Sequence, residues 1–133
     1  MNGAVGILLI AHGSPREESN QDIRRVVESL RASKRYHFVE AAFLDCNEPD
    51  IAEGFRRCVA AHCGTVIAVP YFLHPGKHVA LDVPRQLKAA AALAPHVSVL
   101  MTAYVGQSVE ITNALVHRAM TSLVGNAKSA GGM

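Results

Sequence analysis

The stretch VGILLIAHGS, residues 5–14, decides how the rest of the chain reads. Val5 to Ala11 form a short, continuous apolar run. That is the pattern of a strand buried on both faces. The run is far too short to cross a bilayer. No basic segment precedes it and no small-residue cleavage site follows, so it does not read as a secretory leader. Directly beyond its last apolar residue stand His12, Gly13 and Ser14.

Downstream, helical and strand patterns alternate. Ile23, Val26, Val27 and Leu30 recur at i, i+3, i+4 and i+7, one face of a helix over about residues 17–33. HFVEAAFL (37–44) is rich in β-branched and aromatic residues and reads as a second strand. EPDIAEGFRRCVAAHCG (48–64) reads as a second helix, with Pro49 near its start and Gly64 as its stop. TVIAVPYFL (65–73) is a third strand, with Pro70 expected at its exit because proline weakens a central strand. ALDVPRQLKAAAALA (80–94) reads as a third helix with Pro84 in its first turn. HVSVLMTAYV (96–105) is the fourth strand and SVEITNALVHRAMTSLV (108–124) the fourth helix.

Four strands, each followed by a helix, predict an α/β fold: an open, three-layer, parallel four-stranded sheet with helices on both faces. The expected strand order is 2-1-3-4, as in flavodoxin-like sheets. Ligands then bind at the carboxyl ends of the strands, beside the switch point between strands one and three. Residues 1–125 are expected to form one domain, and residues 126–133 a flexible tail.

Composition narrows the function classes. At 133 residues the chain can bury a real core but is short for an enzyme that encloses a large substrate. The net charge of +2 and the absence of a basic run argue against nucleic acid or an anionic membrane as partner. The cysteines Cys46, Cys58 and Cys63 have no disulfide-framework spacing, which fits a cytoplasmic location. Cys58 and Cys63 are five residues apart, off one helix face, and read as buried small apolar residues.

The expected strand ends gather chemistry. His12 follows strand one, Asp45 and Cys46 tip strand two, His74 and His78 follow strand three, and Gly106 follows strand four. The remaining histidines, His37, His62, His96 and His117, fall at a strand start or on helices and read as structural. Two imidazoles and a carboxylate suit an intermediate divalent metal, with coordination positions left open for substrate. The residues alone leave a second reading open, in which His12 and His78 hydrogen-bond loop backbone. Other chemistries fit worse. HGSPREESN lacks the Gly-Lys-Ser/Thr of a phosphate loop, Ser14 is in no Gly-x-Ser-x-Gly elbow, and no Gly-x-Gly-x-x-Gly is present for a dinucleotide.

LLIAHGSPREESN, VEAAFLDCNEPDI, VIAVPYFLHPGKHVALDVP and, more weakly, TAYVGQS occur in this order along nearly the whole chain. In these stretches the sequence resembles the small class II tetrapyrrole chelatases, the sirohydrochlorin cobaltochelatase and ferrochelatase family. The resemblance implies a chelatase-like fold and a lyase that inserts Co2+, Fe2+ or Ni2+ into a metal-free tetrapyrrole, with the metal as substrate and no organic cofactor. It implies a homodimer that holds the macrocycle between subunits, in a pathway to sirohaem or cobalamin. A carrier that binds metal or tetrapyrrole without turnover is the alternative.

By the same resemblance His12 and His78 are the metal-binding and catalytic histidines, and one of them accepts a pyrrole proton. Asp45 matches the acidic metal position, commonly glutamate in relatives; its side chain is one bond, roughly 1.5 Å, shorter. Relatives often carry arginine directly after His-Gly-Ser, where this chain has Pro15 and then Arg16. Ser14, Arg16, Phe72, Gly76 and Lys77 are the expected substrate-binding residues. Arg16, Lys77 and Arg85 would pair with rim carboxylates. Gly76 would allow close backbone approach or supply a positive φ. Tyr71, Phe72 and Leu73 would line an apolar cleft, a position that a buried strand end also explains. His74 inherits no role and remains a possible accessory group.

Overall fold

The computed structural model describes residues 3–128. Strands β1 (Val5–Ala11), β2 (Phe38–Phe43), β3 (Thr65–Pro70) and β4 (Ser98–Met101) alternate with helices α1 (Glu17–Ala32), α2 (Ile51–Ala60), α3 (Lys77–Ala91) and α4 (Val109–Lys128). A short 3-10 turn, Val105–Gln107, precedes α4. All strand pairings are parallel and the order is β2-β1-β3-β4, as expected. β1 therefore lies inside, hydrogen-bonded on both edges, which is why its run is uniformly apolar.

Alternation along the strands builds two cores. Leu8 and Ile10 of β1 point to the face covered by α2 and α3, where they meet Ile51, Phe55, Val83 and Leu87. Ile7 and Leu9 point to the opposite face and meet Val27 of α1, with Val39 and Ala41 of β2 beside them. Leu8, Ile10 and Ile51 have no exposed surface. Each such side chain contributes about 1.5–3 kcal/mol through burial. Gly54 lets α2 lie close on the sheet, since a Cβ there would stand 2.9 Å from Leu8 Cδ1 and 3.0 Å from Ala42 Cβ.

Several boundaries differ from the sequence pattern, β3 among them, which ends at Pro70 and leaves Tyr71–Leu73 in the following loop. Helix α2 ends at Ala60, well before Gly64. His62 adopts the left-handed conformation at φ 67. Its N–H reaches Val59 O at 2.9 Å, and Cys63 N–H reaches Cys58 O at 3.2 Å. That pair of bonds is a Schellman stop with histidine in the place usually held by glycine. Helix α3 begins at Lys77, so Pro84 is in its interior and not in its first turn. Proline there has no N–H to give the carbonyl of Ala80. Strand β4 is shorter than its apolar run because its pairing with β3 ends at Ala68↔Met101. Helix α4 continues through Gly125 to Lys128, and residues 129–133 of the expected tail lie outside the described residues. No helix among the described residues is long and apolar enough to cross a membrane.

Cys46 is exposed, whereas Cys58 and Cys63 are buried. Burial, with a smaller contribution from nearby Cys63, pushes the Cys58 thiol up to about 12. Cys63 is raised as well, by burial. The thiolate is the reactive form, so both stay inert near neutral pH. An alkylating reagent at pH 7 is expected to add once to the folded protein, at Cys46, and at all three cysteines in denaturant. Intact-mass spectrometry reads the difference; rapid native labelling of Cys58 would contradict this packing.

Candidate active site

The carboxyl ends of β1 and β2 are held together by backbone. His12 is the first residue past β1 and is exposed. Gly13 follows at φ 93, in the left-handed region. A Cβ on Gly13 would stand 2.0 Å from the carbonyl oxygen of Asp45, a distance no side chain tolerates. The contact lets Asp45 N–H donate to His12 O at 3.0 Å and Leu44 N–H to Ala11 O at 3.0 Å. His12 and Asp45 are thus backbone neighbours across two loops.

Two asparagines that the sequence reading did not single out hold this arrangement. Ser14 N–H donates to Asn47 Oδ1 at 2.8 Å. Asn20, buried on α1, donates from Nδ2 to Ser14 O at 2.9 Å. Ser14 Oγ in turn accepts from Arg16 N–H at 3.1 Å. Ser14 therefore positions the loop through its amide, its carbonyl and its hydroxyl. Asp45 Oδ1 accepts from Cys46 N–H at 2.8 Å, which fixes the carboxylate beside its own backbone.

The opposite wall is the start of α3. Gly76 caps the helix at φ −71 and ψ 170, so it supplies no positive φ, and a Cβ there would meet nothing within 4 Å. His78 is in the first turn. Asp82 and Arg85 follow at i+4 and i+7, on the same helix face. Asp82 Oδ2 accepts from Gln86 Nε2 at 2.8 Å, and Arg85 Nη1 lies 3.8 Å from Asp82 Oδ1.

His12, Asp45, His78, Asp82 and Arg85 line one cavity of ≈ 380 Å³ between β1, β2 and α3, at the switch point. Leu44 and Val79 add apolar surface. Asp82 and Arg85 became neighbours of His78 only because α3 starts at Lys77; no strand-end rule would have found Asp82. Among the described residues, no three His, Cys, Asp or Glu side chains converge tightly enough to hold a metal ion. The donors face a shared space without meeting at one point.

The other expected site residues lie elsewhere. Arg16 caps α1 and is exposed, pairing with Glu18 at 3.4 Å. Lys77 and His74 are exposed and outside the cavity lining. Phe72 lines a separate apolar cavity of ≈ 170 Å³ with Pro75, Val83 and Met101. Val79 belongs to both cavities, so one helical turn separates the apolar space from the polar one.

With this geometry in place, the chain can be set beside known proteins. Residues 6–122 match the CbiX family. The sequence is 32% identical over 127 residues to the chloroplastic sirohydrochlorin ferrochelatase of Arabidopsis thaliana, covering 93% of this chain and 56% of that protein. It is 33% identical over 81 residues to the sirohydrochlorin cobaltochelatase of Methanococcus maripaludis, covering 61% of this chain and 56% of that one. The fold superposes on the crystal structure of the sirohydrochlorin chelatase SirB from Bacillus subtilis subspecies spizizenii in complex with cobalt, with a TM-score of 0.81 at 27% identity. That match covers 90% of this chain and 51% of SirB. The chain thus spans about half the length of these three relatives.

Gly13→Ala tests the joint between the two loops. Adding a methyl at a left-handed position costs about 1–2 kcal/mol, and the overlap with Asp45 adds about 1–3 kcal/mol. Urea denaturation is expected to show a loss of about 2–5 kcal/mol, against a change within about 0.5 kcal/mol for Gly76→Ala at the open helix cap.

Proposed function

The chain belongs to the CbiX family, and from that premise we propose that it is a sirohydrochlorin chelatase, inserting a divalent metal ion into the metal-free tetrapyrrole. The observation that carries the reading is the single cavity that His12, Asp45, His78, Asp82 and Arg85 line. Family membership supports the substrate class, and the relatives' names support cobalt or iron as the metal; nickel is the third candidate.

Insertion exchanges one bound dication for two pyrrole N–H protons. The site must hold the metal loosely, offer it to the ring face and accept protons. Neutral imidazole does the last two near neutral pH, because its ordinary pKa is close to 6.5. In this reading His12 and His78 bind the incoming metal from opposite walls. As the ring nitrogens displace them, one imidazole accepts a pyrrole proton. Asp45 orients an imidazole or holds the metal, and its charge favours the imidazolium that forms. Asp82, one turn beyond His78, offers a second carboxylate toward the same space.

Sirohydrochlorin carries carboxylates on its rim. Arg85 is placed to pair with one of them, while Arg16 and Lys77 add positive charge outside the cavity. Gly76 leaves open space at the α3 cap for the ring edge. The cavity is open and too small to enclose a macrocycle, so a second copy would cover the other ring face in a homodimer. The metal is a substrate; no organic cofactor is needed for the exchange. A cytoplasmic place in sirohaem or cobalamin synthesis completes the reading.

The decisive experiment mixes protein, sirohydrochlorin and Co2+, Fe2+ or Ni2+ in parallel without oxygen and follows the absorption change. Substoichiometric protein is expected to accelerate conversion through many turnovers. His12→Ala and His78→Ala are each expected to lower the rate by about 100-fold or more while folding normally. A change that stops at one ring per chain would indicate a carrier. Full activity in both histidine variants would remove them from the mechanism.

A further inference from the structure

Each wall of the polar cavity carries one histidine and one carboxylate. His12 and Asp45 stand in the loops after β1 and β2, and His78 and Asp82 stand on α3. The two carboxylates are held in different ways. Asp45 Oδ1 accepts from the N–H of the next residue, Cys46, so the group is tied to its own loop. Asp82 Oδ2 accepts from Gln86 Nε2 at 2.8 Å, a bond that runs along the helix on the side away from His78.

His78, Asp82 and Gln86 follow one another at intervals of four residues. A helix sets such residues one above the other, with Cβ atoms about 5–6 Å apart. The three side chains therefore form one ridge along α3. Val83 and Leu87, both buried in the core, fix the phase of that ridge. Helical side chains lean toward the amino end of their helix. Asp82 thus leans over the turn that carries His78, and Gln86 supports Asp82 from behind. The remaining oxygen, Oδ1, lies 3.8 Å from Arg85 Nη1, too far for a hydrogen bond, and the Arg85 side chain is 74% exposed. Oδ1 is therefore left to the His78 side. An imidazole that binds a metal through one nitrogen gives its other N–H to an acceptor, which fixes the tautomer and the plane of the ring. In His78, Nδ1 is the nitrogen nearer the helix, and Nε2 reaches farther into the cavity.

We propose that Asp82 is the positioning residue of His78: in the metal-bound state its Oδ1 accepts from His78 Nδ1–H and leaves Nε2 facing the metal. Gln86 is the clamp that holds the carboxylate for this purpose. Asp45, tied to the opposite loop, is then the carboxylate left for the metal itself. The assignment rests on the reading of His78 as a metal ligand in the proposed chelatase. It separates the two roles, orienting an imidazole and holding the metal, and gives each to its own carboxylate.

The test uses the full chain with Co2+ alone and no tetrapyrrole. Affinity is measured by competition with a chromophoric chelator. The tautomer of His78 is read from its imidazole nitrogen shifts by NMR, assigned against His78→Ala. Asp82→Asn keeps the side-chain shape and an oxygen for Gln86. It is expected to weaken Co2+ binding about 10- to 100-fold and to move the His78 ring away from the Nδ1–H form. Asp82→Glu is expected to recover part of both losses. Gln86→Leu keeps the carboxylate but releases it, and is expected to weaken binding by less than Asp82→Asn. In a His78→Ala background, Asp82→Asn is expected to cost nothing further, because its effect passes through the imidazole. An equal loss in that background would make Asp82 an independent ligand and overturn the assignment. An unchanged His78 tautomer in Asp82→Asn would overturn it too. Should Asp82→Asn fail to fold, Asp82→Glu and Gln86→Leu carry the same two readouts, and no change in either variant would overturn the assignment. Wild-type Co2+ affinity in His78→Ala would remove the metal site on which the chelatase reading depends. A chain that binds Co2+ as expected but fails the turnover assay would keep the role of Asp82 and lose the chelatase reading.

Discussion

At the switch point, the missing side chain of Gly13 lets one loop lie against another. The Asp45 carbonyl occupies the space a Cβ would need, 2.0 Å away, and the backbone sits at φ 93 to reach it. Around that contact the amides of Leu44 and Asp45 bond to the carbonyls of Ala11 and His12. The parallel ladder between β1 and β2 is thereby extended past its last paired residues. His12 and Asp45 inherit the rigidity of the sheet without being in it. The buried Asn20 and the half-buried Asn47 then close the loop by holding Ser14 from both sides. A site assembled from separate loops keeps its geometry when its supports are backbone and buried amides, because neither has rotamer freedom left to lose.

The fold was legible because its signals were long and periodic. The β1 run and the Ile23–Leu30 stripe each had one physical explanation, and alternation of strands and helices left few sheet orders. Boundaries were less legible where a residue acted against its usual role. His62 takes the left-handed stop position two residues before Gly64, which sequence reading had favoured on propensity. Pro84 suggested a helix start near Ala80, yet the helix begins three residues earlier, at Lys77, and carries the proline inside. Tertiary packing of Val83 and Leu87 outweighs one lost backbone bond.

That early start has chemical consequences. With His78 in the first turn of α3, Asp82 and Arg85 fall on its face and point into the same cavity. With a start near Ala80, His78 would have been a loop residue and Asp82 part of a first turn, with no reason to associate them. His12, Asp45 and His78 were legible because strand ends at a switch point gather side chains whatever the loop details. Asp82 was not, because its place depends on the phase of one helix. The spacing also separates His78 from His74. Four residues apart in sequence, they end up on a helix and in an exposed loop, and only His78 reaches the cavity.

The wall of the polar cavity and the base of α4 meet in one short segment. Leu73 receives the 102–108 loop through the close approach of Gly106, and the chain then runs through Pro75 and Gly76 into His78. Phe72, whose carbonyl accepts the Gly106 amide, also lines the apolar cavity behind Val79. The wall that presents His78 is therefore braced on one side by the sheet and on the other by the base of α4.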